Sequence, residues 1–497
     1  MTLRRHTISG PVQRYIVSMK SLRHILILLA AAIAMTLPSC IEDGFTTSPS
    51  DLPSFSVDTL DMGEIFTEQV STTHRFTVYN RADKGLSISR ISLSGENAPL
   101  FRLNVDGFSG TEFSNVEIRA KDSIIVLVST TLPPNGRNVP VEITASLDFL
   151  TNGVSESVVL AARGRDVTRL RALTIDTDTR LTAEKPYQIY DSLVVAPGAT
   201  LTIDPGAELF FHDGAMMVIR GTLKAVGTPG NEIQMAGDRT GNVAADISFD
   251  IMSRQWLGLF FTSTSRDNRL DYVHLRNTWQ GVTVDGTDAP GQVSLTMVNS
   301  RLRNSGMHAL EVHHANVNAY GCEIAEAADG SVLLHGGSHV FSHCTLANYY
   351  LFSALGGPIL AFEHVDAKSD DLSGLPFTSA RITNSIIYGN GADISHGDLT
   401  GMDIILDHCL LKSAGTDDDN FLSCLWDSDP LFYTVREDYY FDYRLRDESP
   451  AIGAADPALT TPEAATDRYG LPRGAVPDIG AYVYTPSEQL FPNNNEQ

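Results

Sequence analysis

The chain has 497 residues, of which 60 are acidic and 36 are Lys or Arg, and its net charge is −24. That length is enough for two or three domains of roughly 150 residues each. The acidic excess argues against a nucleic-acid binder, which presents a basic face, and disfavours simple attraction to acidic polysaccharides. It is compatible with calcium, because this ion prefers carboxylate oxygens.

An export signal is the first feature along the chain. Lys20 and Arg23 precede an apolar run over 25–37. This run is too short to cross a bilayer, which needs roughly 20 apolar residues. A basic start followed by a short apolar core predicts a signal peptide. We predict that the signal covers 1–39, with Met19 as the alternative start of the protein.

The sequence Leu37-Pro38-Ser39-Cys40 resembles the lipidation box of bacterial lipoproteins, although Pro38 departs from the usual small residue. The resemblance implies that Cys40 carries palmitate-type lipid and anchors the chain to a membrane. Residues 40–53 are then the anchor and a Ser/Thr/Pro-rich tether. The acidic residues after Cys40 resemble the surface-export signal of Bacteroidetes-type lipoproteins. We therefore expect an outer-membrane protein at the cell surface; a cleaved secretory signal without lipid is the alternative.

Residues 54–166 are predicted to form a β-sandwich. Alternating segments such as 76–80, 86–93 and 141–149 recur without any helical period. Short alternating strands of this kind favour two packed sheets. Segments 76–80, 86–91 and 158–164 resemble the immunoglobulin-like domains of the ASPM/SPD-2/Hydin group. The resemblance implies a spacer or an interaction module.

Residues 193–445 are predicted to form a parallel β-helix, after a connector over 167–192. Very short apolar strands are broken by Pro-Gly or Gly turns, as expected for stacked coils. A pair that mostly ends in a small residue recurs after 27, 22, 22, 41 and 24 residues, with an insertion at 356–376 in the longest gap. We predict that the second residues of these pairs form an inward ladder, with one residue from each coil. The pairs are Tyr272-Val273, Asn299-Ser300, Gly321-Cys322, His343-Cys344, Asn384-Ser385 and His408-Cys409.

The segment from about 190 to 484 resembles the right-handed parallel β-helix repeat family. The similarity lies in PGATLTIDPGAELFF, in 256–261, and in the C-terminal motifs at 429–432, 443–445, 449–452 and 478–482. Gly453 stands where that family often has Asp. The resemblance implies a C-terminal coil and tail over 446–497. The predicted fold class is all-β: a right-handed parallel β-helix solenoid preceded by an immunoglobulin-like β-sandwich.

Histidines are the most suggestive chemistry-bearing residues. Six of them fall within 36 residues, and His313 and His335 share the same offset of 13 from Ser300 and Cys322. They should therefore stack on neighbouring coils, close enough to share a metal ion. Stacked outward side chains without a ligand, and an acid–base role, are the other interpretations. The sequence singles out no catalytic residue.

The cysteines and an acidic run are two further candidates for metal binding. Cys322 and Cys344 should be neighbours, either as buried thiols or as a disulfide, and the absence of C-x-x-C spacing argues against a zinc ribbon. The acidic run 417–419 lacks the spacing of an EF-hand loop. We therefore expect no cofactor, and we retain calcium as the alternative.

We expect an adhesin-like protein whose solenoid binds glycan or a protein partner. A polysaccharide lyase or glycoside hydrolase is the first alternative, and a structural envelope protein is the second. An enzyme needs an accessible carboxylate pair or a basic side chain facing acids. A binder needs exposed aromatic side chains, for which the candidates are Trp256, Trp279, Tyr349 and Tyr350.

Overall fold

The structure, a computed structural model, describes residues 44–244, 247–286, 291–363, 377–400, 402–435, 439–486 and 489. Its contacts divide the chain into two compact units, one from 1–60, 73–128 and 144–160, the other from 61–72, 129–143 and 161–497. The predicted signal over 1–39 and the predicted lipidation site Cys40 lie outside the described residues. Within the described part of the chain, no helix has the length and apolar character needed to span a membrane.

Ten strands and one 3-10 helix (Ala98–Leu100) lie between residues 54 and 165, and they form the predicted β-sandwich. Alternation drives this fold: Ile124, Val126 and Val128 are buried, whereas Ile125 between them is exposed. The two five-stranded sheets have the strand orders β1-β3-β8-β5-β6 and β2-β10-β9-β4-β7. The strands are Ser54–Phe55 (β1), Thr59–Phe66 (β2), His74–Tyr79 (β3), Leu86–Ser94 (β4), Phe101–Val105 (β5), Phe108–Gly110 (β6), Glu112–Ile118 (β7), Ser123–Thr130 (β8), Val141–Thr151 (β9) and Val154–Arg165 (β10).

The sandwich sheets pack through aromatic side chains in the first unit. The ring of Phe149 on β9 lies 4.8 Å from that of Phe55 on β1 and 6.4 Å from that of Phe76 on β3, between centroids. All of the paired strands in these sheets whose register is defined run antiparallel. Inward aromatic residues from two facing sheets are the usual core of such a sandwich.

The second unit contains a parallel β-helix, as predicted. Its strands form two parallel sheets of 17 and 10 strands. The larger sheet begins with Thr168–Ile175 (β11) and Tyr187–Val195 (β13), and then separates into two rows. The first row consists of Glu208–Phe211 (β15), Ile233–Gly237 (β18), Val273–Arg276 (β23), Arg301–Ser305 (β26), Glu323–Ala327 (β29), Thr345–Asn348 (β32), Ile386–Gly389 (β35) and Leu410–Leu411 (β38).

The second row, also in the 17-stranded sheet, carries the candidate site described below. It consists of Met216–Ile219 (β16), Gly258–Phe261 (β21), Val282–Asp285 (β24), His308–His313 (β27), Gly330–His335 (β30), Leu360–Glu363 (β33) and Ile394–Ser395 (β36).

The third row is the 10-stranded sheet. It consists of Thr179–Leu181 (β12), Thr200–Ile203 (β14), Thr222–Val226 (β17), Asn268–Asp271 (β22), Leu295–Val298 (β25), Asn316–Tyr320 (β28), Gly337–Ser342 (β31), Phe377–Thr383 (β34), Ile404–Asp407 (β37) and Phe421–Leu422 (β39). A short antiparallel hairpin of Asn242–Ala244 (β19) and Ile247–Ser248 (β20), followed by the 3-10 helix Phe249–Ile251, interrupts the coils.

The register of the first row confirms the predicted coil lengths. Residues 274, 301, 323, 345, 386 and 410 are successive partners, which gives spacings of 27, 22, 22, 41 and 24. The second members of the repeating pairs are all buried in the interior, as the ladder requires. The first residues of the pairs all have φ values near +50° to +60°, because the chain turns sharply between rows at these positions. They are Tyr272, Asn299, Gly321, His343, Asn384 and His408.

Two predicted boundaries need correction. The segment 167–192 is more than a connector, since β11 within it pairs in parallel with β13. Its side chains are mostly exposed, so the strand carries no apolar run that would reveal it. The parallel strands also end before 445: β39 is the last of them, and Phe432–Thr434 (β40) and Asp442–Leu445 (β41) form an antiparallel hairpin.

The described part of the predicted C-terminal coil and tail over 446–497 adds no further coil to the solenoid. This part contains turns, an isolated antiparallel β-bridge between Thr466 and Pro472, and the 3-10 helices Pro457–Leu459 and Pro462–Ala464. Residues 432–435 and 439–484, here called the cover, lie on the outside of the first row. Apolar side chains of the cover and outward side chains of the row share one core: Ala325, Ala347, Ile386 and Leu410 from the row, and Phe432, Phe441, Tyr443, Leu445, Ala451, Ile479, Ala481 and Tyr482 from the cover.

Candidate functional site

The second row carries a column of polar side chains on its outward face. Asp285, His313, His335 and Glu363 are successive register partners on four adjacent coils. The rings of His313 and His335 are stacked, with centroids 4.7 Å apart and planes at 11°. This spacing matches the separation of about 4.8 Å between neighbouring strands. The two histidines therefore stack on neighbouring coils, as their equal offset predicts.

Glu311 joins the two histidines. It lies two residues before His313 on the same strand, so both side chains project from the same face. Its Oε1 lies 3.1 Å from Nε2 of His313. Among the described residues, Glu311, His313 and His335 are the only group of three metal-ligand types whose ligand atoms all lie within 4.8 Å of one another. These three residues are called the Glu-His-His cluster below.

Two more residues contact the cluster. Nδ1 of His335 lies 3.3 Å from Oε2 of Glu363, and Nδ1 of His308 lies 3.8 Å from Oε2 of Glu311. Hydrogen bonding from His308 and His313 lowers the pKa of the Glu311 carboxyl, although burial opposes the shift. Glu311 is therefore ionised at neutral pH. The cluster can supply one carboxylate and two imidazole nitrogens to a cation.

Sequence reasoning missed Glu311 and Glu363. The signal for Glu311 was available, because it precedes His313 by two residues in an alternating strand. Glu363 follows His335 by 28 residues rather than 22, because the chain between β30 and β33 makes a wider excursion. That longer coil concealed their shared register.

Two other histidines of the predicted group have structural roles. His339 is fully buried, with Nε2 2.7 Å from the carbonyl oxygen of Gly336, and burial lowers its pKa to about 4. His343 is also buried and contacts the cover through Asp478 and Thr460. Burial, with Arg473 nearby, lowers the pKa of His343 to about 3. Both imidazoles are therefore neutral at physiological pH.

A buried carboxylate pair lies on the first row, under the cover. Glu323, whose side chain is 0% exposed, pairs with Arg301 (3.1 Å) and with Arg303. The hydroxyl of Tyr482 donates to Glu323, and that of Tyr443 donates to Glu326. Both Tyr residues belong to the cover. Two carboxyl groups can act as the general acid and base of a glycosidase. The cover, however, blocks the access of a polymeric substrate to Glu323 and Glu326.

Of the four aromatic candidates for ligand binding, Trp279 is exposed, whereas the other three are buried or half-buried. Trp256 is 1% exposed and its indole stacks on Phe211 with centroids 4.0 Å apart, so it is a core residue. Tyr350 is buried and bonds to Ser253. Trp279 is 48% exposed, and the guanidinium of Arg254 lies 5.8 Å from its ring. Tyr349 is half-buried against the cover.

Among the described residues, the cysteines and the acidic run form no group of three metal-ligand side chains that could hold an ion. Cys322, Cys344, Cys409 and Cys424 are free thiols. Burial raises the pKa of Cys322 well above its usual range, as expected for an inert core thiol. In the acidic run, Asp417 accepts hydrogen bonds from the backbone of Ser423 and from the indole of Trp426, so it closes a turn.

No protein-family model and no curated protein sequence matches this chain. Several solved structures share partial likeness with it, and three of them are as follows. A protein of unknown function from Porphyromonas gingivalis W83 is 14% identical, with a TM-score of 0.18, over 26% of this chain and 51% of that one. A family 123 glycoside hydrolase from Clostridium perfringens is 8% identical, with a TM-score of 0.17, over 22% and 25%.

The third likeness covers more of both chains. The catalytic unit of a GH87 α-1,3-glucanase from Streptomyces thermodiastaticus strain HF3-3 is 10% identical, with a TM-score of 0.23, over 68% of this chain and 79% of that one. At such TM-scores none of the three likenesses bears on the activity of this chain. The first two also span only half and a quarter of their counterparts.

Proposed function

We propose that this protein is a lipid-anchored, surface-exposed protein of the outer membrane that binds glycan or a protein partner without catalysis. In this proposal Cys40 carries the anchor, and the immunoglobulin-like sandwich acts as a spacer. The outward face of the second row is the binding surface. An elongated face of stacked coils suits an elongated ligand.

One observation carries the proposal: the column Asp285, His313, His335 and Glu363 is partly or fully accessible over four coils. Four strands at about 4.8 Å spacing extend over about 14 Å, which matches a short stretch of a polymer. The exposed indole of Trp279 adds an amphipathic ring next to β24. By contrast, Glu323 and Glu326 are enclosed by the cover.

The binding test uses the chain from Ile41 onward, which retains every described residue. It is incubated with plant, host and bacterial polysaccharides, with and without calcium, and polymer size is followed by gel filtration. We expect co-elution with one polymer and no shortening. Trp279→Ala should weaken co-elution, whereas Phe108→Ala, which removes an even more exposed ring from the sandwich, should not.

The enzyme alternative rests on Glu311 and Glu363, which lie on strands two coils apart in the second row. That spacing of about 10 Å is close to the carboxylate separation of an inverting glycosidase. Shortening of any polymer, abolished by Glu311→Gln or Glu363→Gln, would establish this alternative and contradict the binding proposal.

The anchor is tested in cells. Cys40→Ala should move the protein from the membrane fraction to the soluble fraction and remove labelling by a palmitate analogue, because lipid chains supply the membrane affinity. Ser39→Ala, a change beside the lipidated position that keeps a small residue there, serves as the control for processing. A Cys40→Ala protein that stays in the membrane would contradict the anchor.

A further inference from the structure

We propose that the Glu-His-His cluster binds one divalent transition-metal ion of the zinc class. The site uses Glu311, His313 and His335 as ligands. It is independent of the glycan-binding proposal, because metal binding is measured on the protein alone.

The geometry of the cluster is close to that of an occupied site. Ligand atoms bound to one tetrahedral zinc at about 2.0–2.1 Å lie about 3.3 Å from one another. Oε1 of Glu311 and Nε2 of His313 are already 3.1 Å apart. All three ligand atoms lie within 4.8 Å of one another, so small side-chain rotations bring them onto a common ion.

The fold preorganises these ligands. Glu311 and His313 are on β27 and His335 is its register partner on β30, so regular strands rather than loops fix all three positions. Sites on such rigid elements hold their ligands more accurately than sites on loops. The near-parallel imidazoles follow directly from the stacking of two coils.

Neighbouring residues can orient the ligands. Oε2 of Glu363 lies 3.3 Å from Nδ1 of His335, and Nδ1 of His308 lies 3.8 Å from Oε2 of Glu311. A carboxylate behind a metal-bound histidine fixes the ring and its tautomer, and its loss usually weakens metal binding about 10- to 100-fold. Glu363 is placed for this role.

The ligand types select the ion. Two imidazole nitrogens favour zinc and similar transition metals, whereas calcium and magnesium prefer sites made entirely of oxygen ligands. Three protein ligands also leave one position of a tetrahedral ion for water or for an oxygen of a bound molecule. The partial exposure of His313 keeps that position accessible.

The test is calorimetric titration of zinc into the chelator-treated chain from Ile41 onward, with cobalt absorption as a second readout. We expect one ion per chain and a tetrahedral cobalt spectrum. His313→Ala/His335→Ala should abolish both signals. Glu311→Gln, which preserves the side-chain volume, should lower the affinity at least about 10-fold, and Glu363→Gln should have a similar effect.

The matched control is His212→Ala. His212 also pairs with a carboxylate, Asp238 at 2.8 Å, but without a second imidazole, so this variant should bind zinc as the unaltered chain does. Thermal unfolding of each variant without metal verifies that it folds. No uptake of zinc by the unaltered chain, or uptake by the double histidine variant that equals that of the unaltered chain, would overturn the proposal.

Discussion

At the scale of single residues, the charges buried beneath the cover are the most unusual feature. Burial alone would raise the pKa of Glu323, but Arg301 and Arg303 hold it well below its usual range. Burial raises the pKa of Glu326 to about 7, although Arg303 and Tyr443 oppose the shift. One carboxylate is therefore ionised at neutral pH, and the other lies near its titration midpoint.

Glu323→Gln should destabilise the protein by about 3–5 kcal/mol, because the substitution removes the buried carboxylate that pairs with both Arg301 and Arg303. The free energy of unfolding is measured by denaturant titration. The control is Asp83→Asn, in an exposed ion pair with Lys121 at 2.8 Å, which should have little effect. Equal losses of unfolding free energy from the two substitutions would show that the buried ion pair stabilises the protein no more than the exposed one.

The pKa of Glu326 predicts a pH dependence of stability with a definite sign. Its folded value of about 7 lies above its ordinary value of 4.5, so between these values the folded chain binds more protons than the unfolded chain. The contribution of Glu326 to the free energy of unfolding therefore falls as pH rises from 4.5 to 7, by at most about 3 kcal/mol.

Glu326→Gln should remove that component. Denaturant titrations of both proteins across the pH window give the difference in unfolding free energy between them. We expect the stability of the unaltered chain relative to the variant to decline as pH rises. Parallel pH profiles would contradict the shifted pKa.

At the scale of elements, the turn between the third and first rows decides the shape of each coil. Asn299, Asn384 and His343 adopt positive φ in this turn, and their side chains also bond to the cover. Asn accommodates a left-handed conformation better than most residues. The same positions therefore bend the coil and hold the segment 456–466 against it.

Glycine at the start of β31 has a different constraint. A Cβ on Gly337, at φ +90°, would lie 2.1 Å from the carbonyl oxygen of Ala315 on the neighbouring coil. Gly337→Ala should therefore cost on the order of 4 kcal/mol or more. Gly214→Ala, at φ +75° with open space around it, should cost only about 1–2 kcal/mol. Thermal unfolding of both variants makes the comparison, and similar losses would exclude the steric explanation.

At the scale of the whole molecule, the cover replaces solvent on one face of the solenoid. Outward Ala325, Ala347, Ile386 and Leu410 would form an exposed apolar strip without it. Burial of such a strip is worth about 25 cal/mol per Å² and prevents association between molecules. The cover is therefore part of the folded unit rather than an appendage.

A chain that ends at Ser428 lacks the cover and should aggregate or bind a hydrophobic dye, since the apolar strip and the carboxylates beneath it become exposed. The control is a chain that ends at Pro486, which keeps the contacts of the cover. Soluble yield and dye fluorescence distinguish the two. A monomeric truncated chain with the melting temperature of the full chain would contradict a structural role for the cover.

The sequence by itself determined the features that repeat along the chain. The alternation at 86–93 and 141–149 predicts the sandwich strands. The spacing of residues such as Ser300 and Cys322 predicts coil length, because each coil buries a small residue at the same turn. The equal offset of His313 and His335 follows from the same period, so two of the three residues of the Glu-His-His cluster could be predicted before the structure.

Only the tertiary structure decided which faces of the solenoid are accessible. Tyr482 is 159 residues away from Glu323, and Tyr443 is 117 residues away from Glu326. No local period encodes such contacts, because they depend on where the cover folds back. The same fold encloses one carboxylate pair and leaves the outward column of the second row accessible. Periodicity fixes which residues stack, whereas long-range packing fixes which of them can meet a ligand.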